Sequence, residues 1–286
     1  MKNLFVVLAL LVASPVYASP AAIKVLVVLS SENGITLKGG LVHPTGYFLS
    51  ELMVPVMALE KAGFTPVFAN PKGNEPVMDK ISDGPFWFGG DEEKYRAVKR
   101  HLQSLTGLIH PLPLNEVAEM DLSQFAGIFV PGGHAPMEDL VRNSDLGEIL
   151  RYFHRTKKPT ALICHGPIAL LSTLSHPDEY LSALENKASQ AELKALSKGF
   201  PYEGYELTAF STKEEQQEET GGEDGVLGGK VKFYSDEALG NTGANSLVQA
   251  TKWKSNVRVD RELITGQNPF SDEALAGAFV QALLRE

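Results

Sequence analysis

A single cysteine among 286 residues excludes any intramolecular disulfide, so the fold must close on its packing alone and the one thiol, Cys164, is there for another reason or for none. Positive charge is also scarce. Lys and Arg together number 26 against 35 Asp and Glu, for a net charge of −9. With no basic cluster in the chain, this argues against nucleic acid and anionic membrane surfaces as partners. There is no Gly/Ser-rich or Pro-rich linker and no repeat of fixed period, so nothing divides the chain into units. Long apolar runs are missing too. The longest lies at the start, Leu4 to Val12, shorter than the roughly 20 apolar residues a membrane span needs. No stable membrane anchor is expected.

That first run has the parts of a secretory signal: Lys2 ahead of it, and Val16 and Ala18 behind it in a small-x-small cleavage pattern. The expectation is a signal peptide over residues 1–18, cut after Ala18, and a periplasmic or secreted protein. Residues 19–286 then read as one domain. Ile23 to Ser30 and Gly127 to Val130 are short apolar runs suited to strands buried on both faces of a parallel sheet. Phe48 to Ala62 has helical spacing and a Gly63 stop, and Thr65 to Ala69 reads as the next strand. The pattern weakens between residues 77 and 112, taken as an insertion over or beside the core, with a charged helix from Glu92 to Leu105. Met137 to Phe153 and Ser271 to Leu284 read as helices, Tyr205 to Phe210 as a strand, and Val257 to Gly266 as a hairpin about Asp260 and Arg261. Strands alternating with helices predict a mainly parallel sheet covered on both faces, with its site beyond the carboxyl ends of the strands.

Two segments meet that rule. Gly132 and Gly133 follow one strand, and Cys164 follows another, Thr160 to Ile163, just before the apolar stretch Ile168 to Leu171. A thiol on a strand-turn-helix bend faces outward, and the partial positive charge of a helix N-terminus is expected to lower its pKa. Neighbouring backbone N–H groups at such an elbow can hold an oxyanion. A lone cysteine is otherwise most often a buried core residue.

Five ordered pieces resemble the ThiJ/PfpI superfamily, class I glutamine-amidotransferase-like, in its larger branch of glyoxalase III enzymes and stress chaperones. They are Thr45 to Pro55, Phe68 to Gly73, Val130 to His134, Ile163 to Pro167 and Leu263 to Pro269. The resemblance implies a flavodoxin-like α/β three-layer sandwich and a homodimer. It also implies a site in which Glu51 meets Cys164, His165 stands beside the thiol, and an acid at Glu215, with Glu214 as runner-up, orients the histidine. The oxyanion and substrate-binding positions it implies are Gly132, Gly133 and His165. On the residues alone, Glu51 reads as a helix-surface carboxylate and the acidic run from Lys213 to Glu219 as solvated. Ala135 departs from the glycine that many relatives carry there, and residues 213–253 are richer in glycine than the matching region.

Glutaminase chemistry is excluded, because Leu162 and Ile168 stand where a glycine and a glutamine are needed. Gly228 to Val231 lacks the pattern of a phosphate loop, and no dinucleotide fingerprint is present. Seven scattered histidines show no metal-ligand pair, so no metal and no cofactor is expected. Phe86 to Phe88 is expected mainly to plug the insertion onto the core. The leading expectation is conversion of methylglyoxal or a similar 2-oxoaldehyde to a 2-hydroxy acid without glutathione, through a hemithioacetal on Cys164. Such an enzyme would be a lyase of the D-lactate dehydratase kind, with a small reactive carbonyl compound as its substrate. The alternatives are a holdase chaperone with an incidental thiol and a cysteine hydrolase, either peptidase or deglycase.

Overall fold

The computed structural model describes residues 23–220 and 226–285. The signal peptide expected over residues 1–18 and part of the glycine-rich stretch, residues 221–225, lie outside the described residues. The strands are β1 (Ile23–Val28), β2 (Gly34–Thr36), β3 (Val42–Pro44), β4 (Phe64–Asn70), β5 (Leu112–Pro113), β6 (Phe125–Val130), β7 (Thr160–Ile163), β8 (Glu206–Leu207), β9 (Asn245–Ser246), β10 (Val257–Asp260) and β11 (Leu263–Gly266). Seven of them form the central sheet, in the order β10-β11-β7-β6-β1-β4-β5. All its pairings are parallel except the β10/β11 hairpin, which turns at Arg261 in a left-handed conformation.

The strand sequences explain the three layers. Along β1, Leu26 and Val28 enter one apolar core while Val25 and Val27 enter the other. β6 does the same, with Ile128 and Val130 on one side and Phe129 on the other. One face is covered by helices Leu49–Lys61 and Asp272–Leu283, and the opposite face by helix Ser144–Thr156 and the 3₁₀ helix Gly166–Thr173. This is the expected flavodoxin-like α/β sandwich. The chain leaves β1 toward β4 and β5, then crosses back to β6, β7 and β11. The resulting switch point lies at the carboxyl ends of β1 and β6.

Several local expectations are corrected. The stretch after Cys164 is a 3₁₀ helix and is wholly buried. Its apolar residues have no polar face, so helical periodicity could not show there. The span from Met137 to Phe153 begins with two short 3₁₀ turns, and its α-helix starts only at Ser144, where the Asn143 side chain accepts from the Leu146 N–H. Of Tyr205 to Phe210, only Glu206–Leu207 is strand, and it pairs with β9 outside the central sheet. The segment between β4 and β5 rejoins the sheet at β5 and sends Phe88, Val98 and Leu108 into the core beside helix Leu49–Lys61.

Helix Ser144–Thr156 crosses the 3₁₀ helix behind the elbow at Gly147, where a Cβ would overlap the Ser172 carbonyl. Gly147→Ala is therefore expected to destabilise the protein by about 1–3 kcal/mol through overpacking. Urea unfolding checks this: the midpoint should fall with an unchanged slope.

Candidate active site

Cys164 sits immediately after β7 with φ +61, a left-handed backbone that a side-chain-bearing residue adopts only under constraint. Its N–H donates to the Gly266 carbonyl and its own carbonyl accepts from the Phe210 N–H, both at 2.8 Å. β11 and the β8 connection therefore clamp the bend from both sides. The turn aims the thiol back toward the end of β6, where the backbone N–H groups of Gly133 and His165 point at the sulfur. Gly132 is required there by close approach, since a Cβ on it would collide with Glu51 Oε2 and Cys164 Cβ.

Glu51, in the first turn of helix Leu49–Lys61, is completely buried and faces the Cys164 thiol and the Gly132 backbone. Neither of its oxygens has a partner in hydrogen-bonding geometry. Burial raises its pKa well above the ordinary carboxylate range, with the nearby carboxylate of Asp272 adding to the rise against the thiol and Gly132. Asp272 is itself pushed up to about 7 by burial. A carboxyl with no charge partner stays protonated in such a place. Glu51 is thus a neutral acid beside the thiol and not the surface carboxylate its residue type suggests.

The expected lowering of the Cys164 pKa is not observed. Burial pushes the thiol well up and Glu51 adds to this, against the two backbone N–H groups. The cause is geometric: the thiol is only 3% exposed, and the helix behind it is a 3₁₀ helix. Desolvation outweighs the terminal dipole.

His165 Nδ1 lies 3.4 Å from Cys164 Sγ, and His165 Nε2 lies 2.6 Å from Glu215 Oε2. Glu215 is therefore the acid that meets the histidine, as expected, and it is 1% exposed. The solvated reading of the acidic run is corrected, because Glu214, Glu215 and Glu219 are all buried in helix Thr212–Glu219. Ser211 caps that helix in a reciprocal capping box with Glu214. Glu214 also accepts from the Trp253 N–H, the Gln267 amide and the Asn268 amide. Glu214 anchors the helix, and Glu215 faces the imidazole.

One residue was missed. His134 was counted among the scattered histidines, yet its Nε2 lies 2.8 Å from the other oxygen of Glu215, and its ring stacks on His165 at 4.2 Å. Its place directly after the Gly132-Gly133 turn was the available signal. Burial alone would raise the Glu215 pKa, but the two imidazoles outweigh it and hold the carboxyl far below its usual range. An ionised carboxylate only accepts, so both Nε2 atoms must be donors. The donor atoms of His134, His165 and Glu215 lie within 4.8 Å of one another. That spacing could hold a cation, but these atoms already satisfy one another by hydrogen bonds. Ala135 adopts a helical backbone at the start of a 3₁₀ turn, so the missing glycine costs nothing there.

A small pocket opens over Cys164 and His165. Phe48, Trp87, Phe210 and Trp253 form its walls, and His134 and Glu218 supply polar edges. The Phe86 to Phe88 run therefore divides: Phe88 is core, Trp87 is wall and Phe86 is exposed.

The family described as DJ-1/PfpI matches residues 41–178, a stretch that holds Glu51, the Gly132-Gly133 turn and the Cys164 elbow. Over that stretch, just under half of its length, the chain is similar to the DJ-1/PfpI family. It is 28% identical over 263 residues to the protein/nucleic acid deglycase HchA of Pseudomonas aeruginosa, covering 91% of this chain and 81% of that one. To protein/nucleic acid deglycase 1 of Escherichia coli K12 it is 26% identical over 274 residues, with the same shares covered. Among solved structures, glyoxalase III of Candida albicans superposes with a TM-score of 0.66 at 20% identity, over 91% of this chain and 97% of that one. That last likeness concerns the fold.

Replacing Glu215 tests the buried ion pair. A depressed carboxylate stabilises above its ordinary value of 4.5, and this stability is lost as pH falls through the folded pKa. A raised imidazole stabilises below its ordinary value of 6.5, and this stability is lost as pH rises through the folded pKa. Glu215→Gln should therefore cost most between those two values, about 3 kcal/mol. Denaturant unfolding across pH checks this, and the two proteins should converge toward acid.

Proposed function

We propose that the protein is a glutathione-independent glyoxalase of the glyoxalase III type, converting methylglyoxal or a similar 2-oxoaldehyde to the 2-hydroxy acid. The observation that carries this reading is the neutral carboxyl of Glu51 set against the Cys164 thiol, beneath a small aromatic-walled pocket. The thiol sulfur adds to the aldehyde carbon while His165 Nδ1 takes the thiol proton, and the resulting alkoxide sits where the Gly133 and His165 N–H groups converge. Glu51 gives and recovers protons as the C–H hydrogen passes through an enediol to the neighbouring carbon. The product is a thioester, which water cleaves to release the acid and restore the thiol. The sum is oxoaldehyde plus water, with one carbon oxidised and its neighbour reduced, so the step needs no external oxidant or cofactor. Formally this makes the protein a lyase of the D-lactate dehydratase kind.

A deglycase reading is favoured by one observation, the names of the relatives at 26–28% identity. It uses the same thiol on an oxoaldehyde already added to an amine or thiol. Those names include nucleic acid, and the net charge of −9 argues here for free carbonyl compounds or protein adducts instead. We also propose that the protein acts outside the cytoplasm, on the strength of residues 1–18. N-terminal sequencing of the product exported from a bacterial host should begin at Ser19.

Purified protein should consume methylglyoxal and form lactate without glutathione. Cys164→Ala should abolish turnover, and Glu51→Gln should lower kcat by a factor of about 10²–10⁴, the range for loss of a general acid-base. A wild-type protein inert toward 2-oxoaldehydes but active on glycated peptides would transfer the reading to the deglycase.

A further inference from the structure

The hydrogen bonding at the pocket leaves one charge to assign. Two imidazole rings are stacked at 4.2 Å with their planes 38° apart, and both Nε2 atoms are bonded to the two oxygens of one carboxylate. A single carboxylate can neutralise only one imidazolium, and two like charges at that spacing in a buried site repel strongly. The surroundings of the two rings differ. His165 is 1% exposed, lies against the Phe210 ring at 4.5 Å and faces the Cys164 thiol. His134 lines the pocket, and Glu218 of helix Thr212–Glu219 and Asp79 of the segment after β4 act on it as well as Glu215. His43 on β3 faces it as the one other imidazole, and burial and the His134 charge hold that group down.

We propose that His134 is a positioning residue: as an imidazolium sharing Glu215, it keeps His165 neutral with its proton on Nε2, so that His165 Nδ1 remains the acceptor for the Cys164 thiol proton. The inference rests on the reading of Cys164 as the nucleophile. The electrostatics run the same way. Burial alone would lower both imidazoles, but the Glu215 carboxylate outweighs it at His134, whose pKa is raised. At His165 burial and the His134 charge together outweigh Glu215 and its neighbour Glu214, and its pKa is lowered. Without the His134 charge, the whole field of Glu215 falls on His165 and draws a second proton onto it. An imidazolium cannot take the proton of the buried thiol.

The test is a nitrogen-15 NMR titration of histidine-labelled protein, read through the two-bond couplings that distinguish imidazole tautomers. In the wild type, His134 should be doubly protonated at pH values where His165 is neutral with its proton on Nε2. In His134→Gln the His165 midpoint should move to higher pH, and His134→Lys, which restores a cation, should return it toward the wild-type position. The acidic limb of the kcat/KM profile for methylglyoxal should move with it. A wild type in which His165 carries the charge and His134 is neutral overturns the proposal, as does a His165 midpoint that stays put or falls in His134→Gln. If His134→Gln fails to fold, the wild-type titration decides alone. If the wild type turns over no oxoaldehyde, the glyoxalase reading fails while the titration still judges the charge assignment.

Discussion

The left-handed backbone at Cys164 is costly, on the order of 1–3 kcal/mol for a residue with a side chain. It is held by two backbone hydrogen bonds that reach it from separate parts of the chain, Gly266 at the end of β11 and Phe210 beyond β8. Each contributes about 1 kcal/mol net, and the buried β7 strand supplies the rest by fixing where the bend must start. Everything in the pocket is set relative to that bend. It directs the sulfur toward the end of β6, brings the His165 N–H around beside that of Gly133, and places the His165 ring between the thiol and Glu215. Relaxing φ at this one residue would take the thiol away from all of them together.

Three glutamates near the thiol show how far environment overrides residue type. Glu51 has burial with no cationic partner, and the thiol and the Gly132 backbone do not offset it, so it stays neutral. Glu215 has burial with two imidazole donors and ionises. Glu214, its chain neighbour, accepts from Ser211, Trp253, Gln267 and Asn268 and serves as an anchor for helix Thr212–Glu219. A neutral acid beside a thiol and an ionised one behind the neighbouring imidazole are a pairing that can move protons in both directions.

What was legible in the sequence follows from which forces leave a local trace. β1, β4, β6 and β7 are short apolar runs stopped by turn residues, so their places could be read, and with them the elbow and the Gly132-Gly133 turn. The direction of the Cys164 pKa shift could not be read, because it depends on how much of the sulfur the folded chain covers. The acidic run looked solvated because the groups that bury it, Trp253, Gln267 and Asn268, arrive from about 40 to 55 residues further on. His134 escaped for a similar reason, since its partner Glu215 lies 81 residues away. The short pairing of β8 with β9 likewise depends on contacts that no local periodicity records.

The capping box at Ser211 has a consequence for how this chain can change over time. Each residue along a helix turns its side chain by about 100°, and the cap fixes where that rotation begins. Glu214 and Glu215 hold their opposite tasks only because they stand three and four residues past the cap. A single inserted or deleted residue here would turn the carboxylate away from the histidines and present a different neighbour. The spacing between Ser211 and Glu215 is thus frozen while the solvent-facing residues around it are free to drift. Homologous chains should differ in length between the end of the acidic helix and β9 far more readily than within those five positions.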